Sequence, residues 1–179
     1  VDIGGASSKF ISLPDTGKTW YVQKPQGDFL IMDDYSTSDG AAAFYNSMMD
    51  SLGLNGKYDI YDYLNQKPPY TNVTFLQTVK LFKYVLWYSD NNPSLDLAAA
   101  TVQTYIDAGG KIAFSMQFPQ NVDPVLLQGF LPINPDTIYS KTSLLPNTVI
   151  SAQATDSTYE QLTTITSLFR IKSFYLNPN

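Results

Sequence analysis

The sequence predicts an α/β protein with a mostly parallel sheet and a short β-extension at its N-terminal end. Short apolar runs bounded by turn residues, typical of buried strands, alternate with segments whose apolar residues recur every three or four positions, as in helices. Four such strand–helix units follow one another within about a hundred residues. This alternation favours a parallel sheet with right-handed crossovers.

The N-terminal segment, residues 1–27, has a different pattern. Two short apolar and aromatic runs, 9–14 and 18–25, flank a turn at 15–17, and a linker-like sequence ends the segment. We expect a β-hairpin here, either an extension of the α/β domain or the end of a preceding domain. The α/β domain itself is predicted over residues 28–179.

The elements of the α/β pattern can be assigned in chain order. The strands are predicted from apolar runs at 29–34, 58–64, 83–89 and 111–118. The helices are predicted from apolar periodicity over 41–52, 73–82, 95–106 and 124–131. The residues expected to cap the first three helices are Ser38 or Asp39, Asn72 and Ser94. Gly53 and Gly109 are predicted to end the first and third helices, because glycine readily adopts the left-handed conformation.

Four units of this kind suit a flavodoxin-like three-layer sandwich with strand order 2-1-3-4, to which a fifth strand could be added. The pattern weakens after residue 132. A strand is predicted over 148–154, residues 158–169 fit either a helix or a strand, and a terminal strand is predicted over 171–176.

The charge balance of the 179-residue chain narrows the classes of partner. The formal net charge is −5 and the eleven Lys and Arg residues form no cluster, whereas nucleic-acid binding depends on cations that neutralise phosphates. No apolar run is long enough to span a bilayer. We therefore expect no nucleic-acid binding and no membrane insertion, and a protein or small molecule as the partner.

The start and composition of the chain suggest its setting. The first residue is Val1 rather than Met, which suggests a processed chain or part of a longer multidomain one. A composition without cysteine, with few charges and many Tyr, Asn and Thr residues, is common in exported bacterial proteins. We expect an extracellular or cell-surface location.

Of all features of the composition, the absence of histidine and cysteine most strongly restricts the catalytic and metal-binding chemistry open to this chain. Ser-His-Asp and Cys-His catalysis are impossible within this chain, and the usual zinc ligands are missing. Only carboxylates, lysine, tyrosine and hydroxyl groups remain, which disfavours an enzyme.

Polar residues follow the predicted strands at their carboxyl ends, where open α/β sheets bind ligands. The candidate site residues are Asp33, Asp34, Tyr35, Ser36, Ser89, Asp90, Asn91, Ser115 and Gln117. Because the first and third strands should be neighbours, Asp33, Asp34 and Asp90 could together hold Mg²⁺ or Ca²⁺. In the alternative interpretation, Asp34 helps to start a helix and Asp90 begins a turn stabilised by its own side chain.

These strand ends resemble those of a response-regulator receiver domain. Such domains carry an acidic pair after the first strand, a phosphoacceptor Asp after the third, a hydroxyl after the fourth and a Lys after the fifth. The resemblance would give these roles to Asp33, Asp34, Asp90, Ser115 and Lys141. Lys141 departs from the pattern, since it follows no recognisable apolar strand.

A second resemblance covers residues 28–131. The stretches VQTYIDAGGKIAFSMQ and KYVLWYSDNNPSLD are similar to the helix–Gly-Gly–strand unit, and the strand and loop before it, in class I glutamine amidotransferase-like domains. Versions of this unit occur in exported Bacteroidetes-type proteins. Their nucleophilic Cys belongs in the turn that here contains Ser115, Met116 and Gln117, and its His partner is also missing.

The resemblance implies a fold that has lost its amidotransferase chemistry. We therefore expect a non-catalytic interaction or ligand-binding module of an exported bacterial protein, and, as the alternative, a divalent-metal-dependent acidic site. A third hypothesis is a sugar- or peptide-stacking surface, for which the candidate aromatic residues are Tyr58, Tyr61, Tyr63, Trp87 and Tyr88. The same residues suit strand propensity and core packing.

Overall fold

A parallel four-stranded sheet forms the centre of the protein in the computed structural model. The residues that the structure describes are 24–36, 40–65, 71–90, 92–116, 124–131, 133–135, 142–150, 162–171 and 174–176. The strands of the central sheet are β1 (Phe29–Asp34), β2 (Tyr58–Asp62), β3 (Tyr84–Ser89) and β4 (Lys111–Ser115). Their order is β2-β1-β3-β4, and all neighbouring pairs are parallel. The predicted strand order is therefore confirmed.

Helices cover both faces of this sheet. They are α1 (Ala41–Ser51), α2 (Thr71–Val79), α3 (Leu95–Asp107) and α4 (Pro124–Gln128). On one face α1 packs through Met49 against Ile31 and Tyr88. On the other face α2, α3 and α4 contribute to a larger core that includes Trp87. The result is the predicted α/β, flavodoxin-like three-layer sandwich. No helix within the described ranges has the length and apolar character needed to cross a membrane.

Several predicted boundaries are corrected. The strand predicted over 58–64 ends at Asp62, because the Asp62 side chain accepts a hydrogen bond from the Asn65 N–H and starts a turn. The helix predicted over 73–82 runs from Thr71 to Val79, so Asn72 lies inside the helix and does not cap it. The chain then turns, with the Phe82 N–H donating to the Val79 carbonyl.

The first helix begins at Ala41, as predicted, but the residue before it is not one of the predicted caps. Gly40, with φ of 92°, precedes α1, while Ser38 and Asp39 lie outside the described residues. Gly53 adopts φ of 71° just after the helix, as predicted for a terminating glycine.

The Gly109–Gly110 pair has a structural explanation in the junction between α3 and β4. Gly109 has φ of 90°, which residues with a side chain rarely adopt. A Cβ atom at Gly110 would overlap the ring of Tyr105. That ring is buried, and its hydroxyl donates to the Phe82 carbonyl at 3.1 Å. The first glycine therefore makes the turn and the second makes room for Tyr105.

The C-terminal region adds short antiparallel ladders. Its strands are β5 (Ile133–Pro135), β6 (Thr142–Leu144), β7 (Val149–Ile150), β8 (Leu162–Thr163), β9 (Leu168–Ile171) and β10 (Phe174–Leu176). The pairs are β5 with β10, β6 with β9, and β7 with β8. Where the segment 158–169 is described, it forms strands and no helix. The hairpin predicted for residues 1–27 lies almost wholly outside the described residues, as does Lys141.

Candidate functional site

The candidate residues gather where β1, β3 and β4 end, an edge of the sheet that we call the carboxyl edge. The parallel register places Asp33 beside Tyr88, Asp34 beside Ser89, and Tyr88 beside Ser115. Asn91 and Gln117, the two remaining members of the predicted set, lie outside the described residues. Each of the other predicted residues at this edge makes its own hydrogen bonds or ring contacts, and these contacts determine whether its side chain is available to a ligand.

Asp33 and Asp34 face opposite sides of the sheet, because successive side chains of a strand alternate. Asp34 has 0% of its surface exposed and lies on the side of α3. Its carboxylate accepts hydrogen bonds from the Ser94 N–H at 2.6 Å, the Ser94 hydroxyl at 2.6 Å and the Trp87 indole N–H at 3.1 Å. Asp34 therefore fastens the end of β1 to the beginning of α3.

This arrangement corrects the prediction for Ser94. Ser94 occupies the N-cap position of α3, but its side chain makes no capping hydrogen bond to the helix. Its hydroxyl and its N–H both donate to Asp34 instead. Burial raises the pKa of Asp34 above its ordinary value of 3.8, against the effect of the hydrogen bonds from Ser94 and Trp87, and the charge of Asp90 adds to the rise.

Ser89 and Asp90 also serve the fold. The buried Ser89 hydroxyl donates to the Asp34 carbonyl at 2.8 Å. The Asp90 carboxylate accepts from the Asn92 N–H at 2.8 Å, and from both the N–H (3.1 Å) and the hydroxyl of Ser36. Asp90 thus stabilises its own turn, as in the alternative interpretation, and ties it to the loop after β1.

The pKa of Asp90 reflects these contacts. Partial burial acts to raise it, but the hydrogen bonds from Ser36 and from the Asn92 N–H outweigh that effect. The pKa of this carboxyl therefore lies below its ordinary value, because the hydrogen bonds favour the charged form.

The predicted three-carboxylate metal site is not assembled by these side chains. Asp34 and Asp90 already accept three protein hydrogen bonds each. Asp33 projects from the opposite face of β1, where it accepts a hydrogen bond from the Tyr35 N–H at 3.0 Å. Within the described part of the chain, no three acidic residues form a group that could hold a metal ion.

An aromatic and hydroxyl cluster occupies the α1 side of the carboxyl edge. Tyr45 of α1 stacks on Tyr88 with 4.0 Å between ring centroids, and Tyr35 lies against Tyr88 at 6.4 Å. The Tyr45 hydroxyl shares a hydrogen bond with the Ser115 hydroxyl at 2.6 Å. Together with Asp33, these residues (Tyr35, Tyr45, Tyr88, Ser115) form what we call the tyrosine cluster.

The Tyr88 hydroxyl has an unusual position within the tyrosine cluster. Tyr88 is only 1% exposed, and its hydroxyl has no hydrogen-bond partner of normal geometry among the described residues. Burial raises the pKa of Tyr88 far above its ordinary value, and the nearby Asp33 carboxylate contributes further. A buried hydroxyl without a good partner is costly, so this atom marks a place where a ligand could contribute one.

The structure contradicts an exposed stacking surface for Tyr63, Trp87 and Tyr88, whereas Tyr58 and Tyr61 are partly buried. Trp87, Tyr88 and Tyr63 are buried, and Trp87 packs between Phe75 and Phe114. Tyr61 is half-buried, with its pKa raised to about 12 by burial and by Tyr63. These residues are strand and core residues, since helices cover both faces of the sheet.

Tyr45 is the site residue that the sequence analysis did not assign to the site. Its position on the apolar stripe of a predicted helix indicated core packing, and the ring does pack against Tyr88. The hydroxyl contact with Ser115 depends on how α1 packs against the sheet, which lets Tyr45 reach the last residue of β4 and which no local sequence pattern specifies. No protein-family model, curated protein or solved structure matches this chain.

Proposed function

We propose that this chain is a non-catalytic interaction or ligand-binding module of an exported bacterial protein, with its ligand site at the tyrosine cluster. The proposal rests on one observation: the polar side chains at the carboxyl edge form hydrogen bonds within the protein itself. Asp34, Ser89 and Asp90 are committed to hydrogen bonds that hold the fold together. The chain contains no histidine or cysteine that could replace them in catalysis.

The tyrosine cluster supports the binding part of the proposal. It lies at the carboxyl ends of parallel strands, the edge at which open α/β sheets bind ligands. It also combines aromatic rings with convergent polar atoms, as small-molecule sites commonly do. The bacterial and exported setting is supported by the composition and by the resemblance to amidotransferase-like domains without their nucleophile.

The absence of catalysis is testable through Ser115. Its hydroxyl is paired with Tyr45 and no lysine or histidine stands beside it among the described residues, so no group activates it as a nucleophile. We expect no glutaminase or esterase turnover above the rate without protein. Turnover that Ser115→Ala abolishes, while the variant keeps the circular dichroism spectrum of the wild type, would contradict the proposal.

The binding site is testable by an NMR fragment screen. We expect the fragments that bind to shift the resonances of Tyr45, Tyr88 and Ser115. Two clefts away from the tyrosine cluster serve as internal controls: one of about 320 Å³ at the opposite end of the sheet, near Lys80 and Gly110, and one of about 460 Å³ near Tyr58. Fragments that bind only in those clefts would place the ligand site elsewhere.

Metal binding provides a further prediction. Because Asp34 and Asp90 are occupied by protein donors, calorimetric titration with Mg²⁺ or Ca²⁺ should give no saturable heat that depends on them. Asp107→Asn, at the far end of α3, is the matched control for a change of one charge. Heat that is lost in Asp90→Asn but kept in Asp107→Asn would support the metal-dependent alternative instead.

A further inference from the structure

The described lysines lie toward one edge of the parallel sheet, whereas the described aspartates lie at both edges. The lysines at described positions precede a strand, begin a strand or follow α2. They are Lys24, Lys57, Lys80, Lys83 and Lys111. The aspartates at the ends of strands or directly after them are Asp33, Asp34, Asp62 and Asp90. Strand beginnings lie at one edge of a parallel sheet and strand ends at the other. The described part of the carboxyl edge therefore carries carboxylates without a lysine.

The Tyr88 hydroxyl is a second, independent observation at the same edge. Tyr88 is 1% exposed, its hydroxyl lacks a partner of normal geometry among the described groups, and the carboxylates of Asp33 and Asp62 lie close enough to affect it. The rings of Tyr35 and Tyr45 flank the Tyr88 ring. The phenolic oxygen and the Asp33 carboxylate attract a positive charge, as do the partly exposed rings of Tyr35 and Tyr45.

We propose that the tyrosine cluster binds an ammonium group, such as an alkylamine or a basic side chain of a partner. The inference rests on the proposed function and adds the charge class of the ligand. An ammonium group is a donor without acceptors, so it can bond to the Asp33 carboxylate and to the Tyr88 oxygen together. An anion would be repelled by the strand-end carboxylates, since charges of one sign attract the opposite ion and repel the like one.

An ammonium group also fits this site better than a metal ion. A divalent cation needs six or more oxygen ligands in Ca²⁺ sites, or a strict octahedron in Mg²⁺ sites. The described residues offer no group of three acids. An ammonium ion needs only a few acceptors, and aromatic rings beside it add cation–π attraction.

The test uses three probes of matched shape: n-butylammonium, n-butanol and butyrate. Binding is followed by NMR titration at low and at high salt. We expect n-butylammonium to shift the resonances of Tyr88 and Tyr45, to bind more weakly at high salt, and to bind at least about 10-fold more tightly than butyrate. Asp33→Asn and Tyr88→Phe should each weaken n-butylammonium binding several-fold, while Asp107→Asn should leave it unchanged.

Tyr88→Phe separates a binding role from a structural one. The variant removes a buried hydroxyl without a good partner, so its free energy of unfolding should stay equal or rise slightly while binding is lost. Butyrate or n-butanol binding at the tyrosine cluster as tightly as n-butylammonium would overturn the ammonium inference but keep the proposed site. Failure of all three probes to bind there would also overturn the inference, whereas the proposed function is decided separately by the fragment screen.

Discussion

Replacing Asp34 with alanine is expected to lower the free energy of unfolding by about 3–5 kcal/mol, since each buried donor left without its acceptor costs about 1–3 kcal/mol. The substitution removes the acceptor of the Ser94 N–H, the Ser94 hydroxyl and the Trp87 indole N–H in one step. The Trp87 indole cannot turn to water, because both Trp87 and Asp34 are fully buried, whereas Ser94 is only partly buried. Urea denaturation followed by circular dichroism measures the loss.

Asp34→Asn is the matched control, because it keeps the shape and most of the hydrogen bonds. The Asn oxygen can accept from the Ser94 and Trp87 N–H groups, and its amide can donate to the Ser94 oxygen. We expect this variant to lose about 1 kcal/mol or less at neutral pH. Equal losses in the alanine and asparagine variants would show that the negative charge, rather than the hydrogen-bond acceptor, is what α3 requires.

The wild type and Asp34→Asn are also expected to differ in how their stability depends on pH. The sign of the difference follows from the raised pKa of Asp34. Because the folded-state pKa lies above the ordinary value of 3.8, the contribution of Asp34 is fully present below pH 3.8 and is lost as the pH rises through the folded-state value. The contribution of Asp90 to stability changes over a different pH range. Because its folded-state pKa is lowered, this contribution is present above pH 3.8 and is lost as the pH falls from 3.8 through the folded-state value. Above pH 3.8, Asp34→Asn should therefore show a flatter stability curve than the wild type.

Replacing Trp87 with alanine is expected to cost about 3–5 kcal/mol, the usual range for a large aromatic residue removed from a packed core. Trp87 is 0% exposed, packs against Phe75 at 5.5 Å and Phe114 at 5.8 Å, and donates to Asp34. Thermal or urea unfolding followed by circular dichroism measures the effect. A loss below about 1 kcal/mol would mean that the side chain lies at the surface, as a stacking residue would.

Trp87→Phe separates packing from hydrogen bonding. It keeps an aromatic ring in the core but removes the indole donor to Asp34, so a smaller loss of about 1–2 kcal/mol is expected. Combined with Asp34→Ala, its effect should be less than additive, because both substitutions break the same hydrogen bond. Strict additivity would indicate that Trp87 and Asp34 do not interact.

The fold was predictable from the sequence because its signals are local. The apolar runs and helical periodicities mark alternating strands and helices, and the order β2-β1-β3-β4 is the one expected for a flavodoxin-like sandwich built from such units. Boundaries were less predictable. Asn72 has the chemistry of a cap, yet α2 begins one residue earlier, at Thr71.

The sequence predicted where the candidate site residues lie in the fold, but not what each side chain does there. Asp34 and Ser94 are 60 residues apart in sequence, and only the assembled sheet makes one the partner of the other. The alternation of Asp33 and Asp34 places them on opposite faces, so an acidic pair in the sequence is not an acidic pair in space. Aromatic residues of a strand covered on both faces are buried whichever way they point, which is why Trp87 and Tyr88 could not be told from exposed stacking residues.

The central claim is that Asp34 is a buried structural acceptor rather than a metal ligand or catalytic group. The most direct measurement is an NMR titration of the Asp34 carboxyl carbon against pH. We predict a pKa above 3.8, because burial outweighs the hydrogen bonds from Ser94 and Trp87. A pKa near 3.8 that does not change in Ser94→Ala would contradict the claim, since it would describe a solvated carboxylate that accepts no hydrogen bond from Ser94.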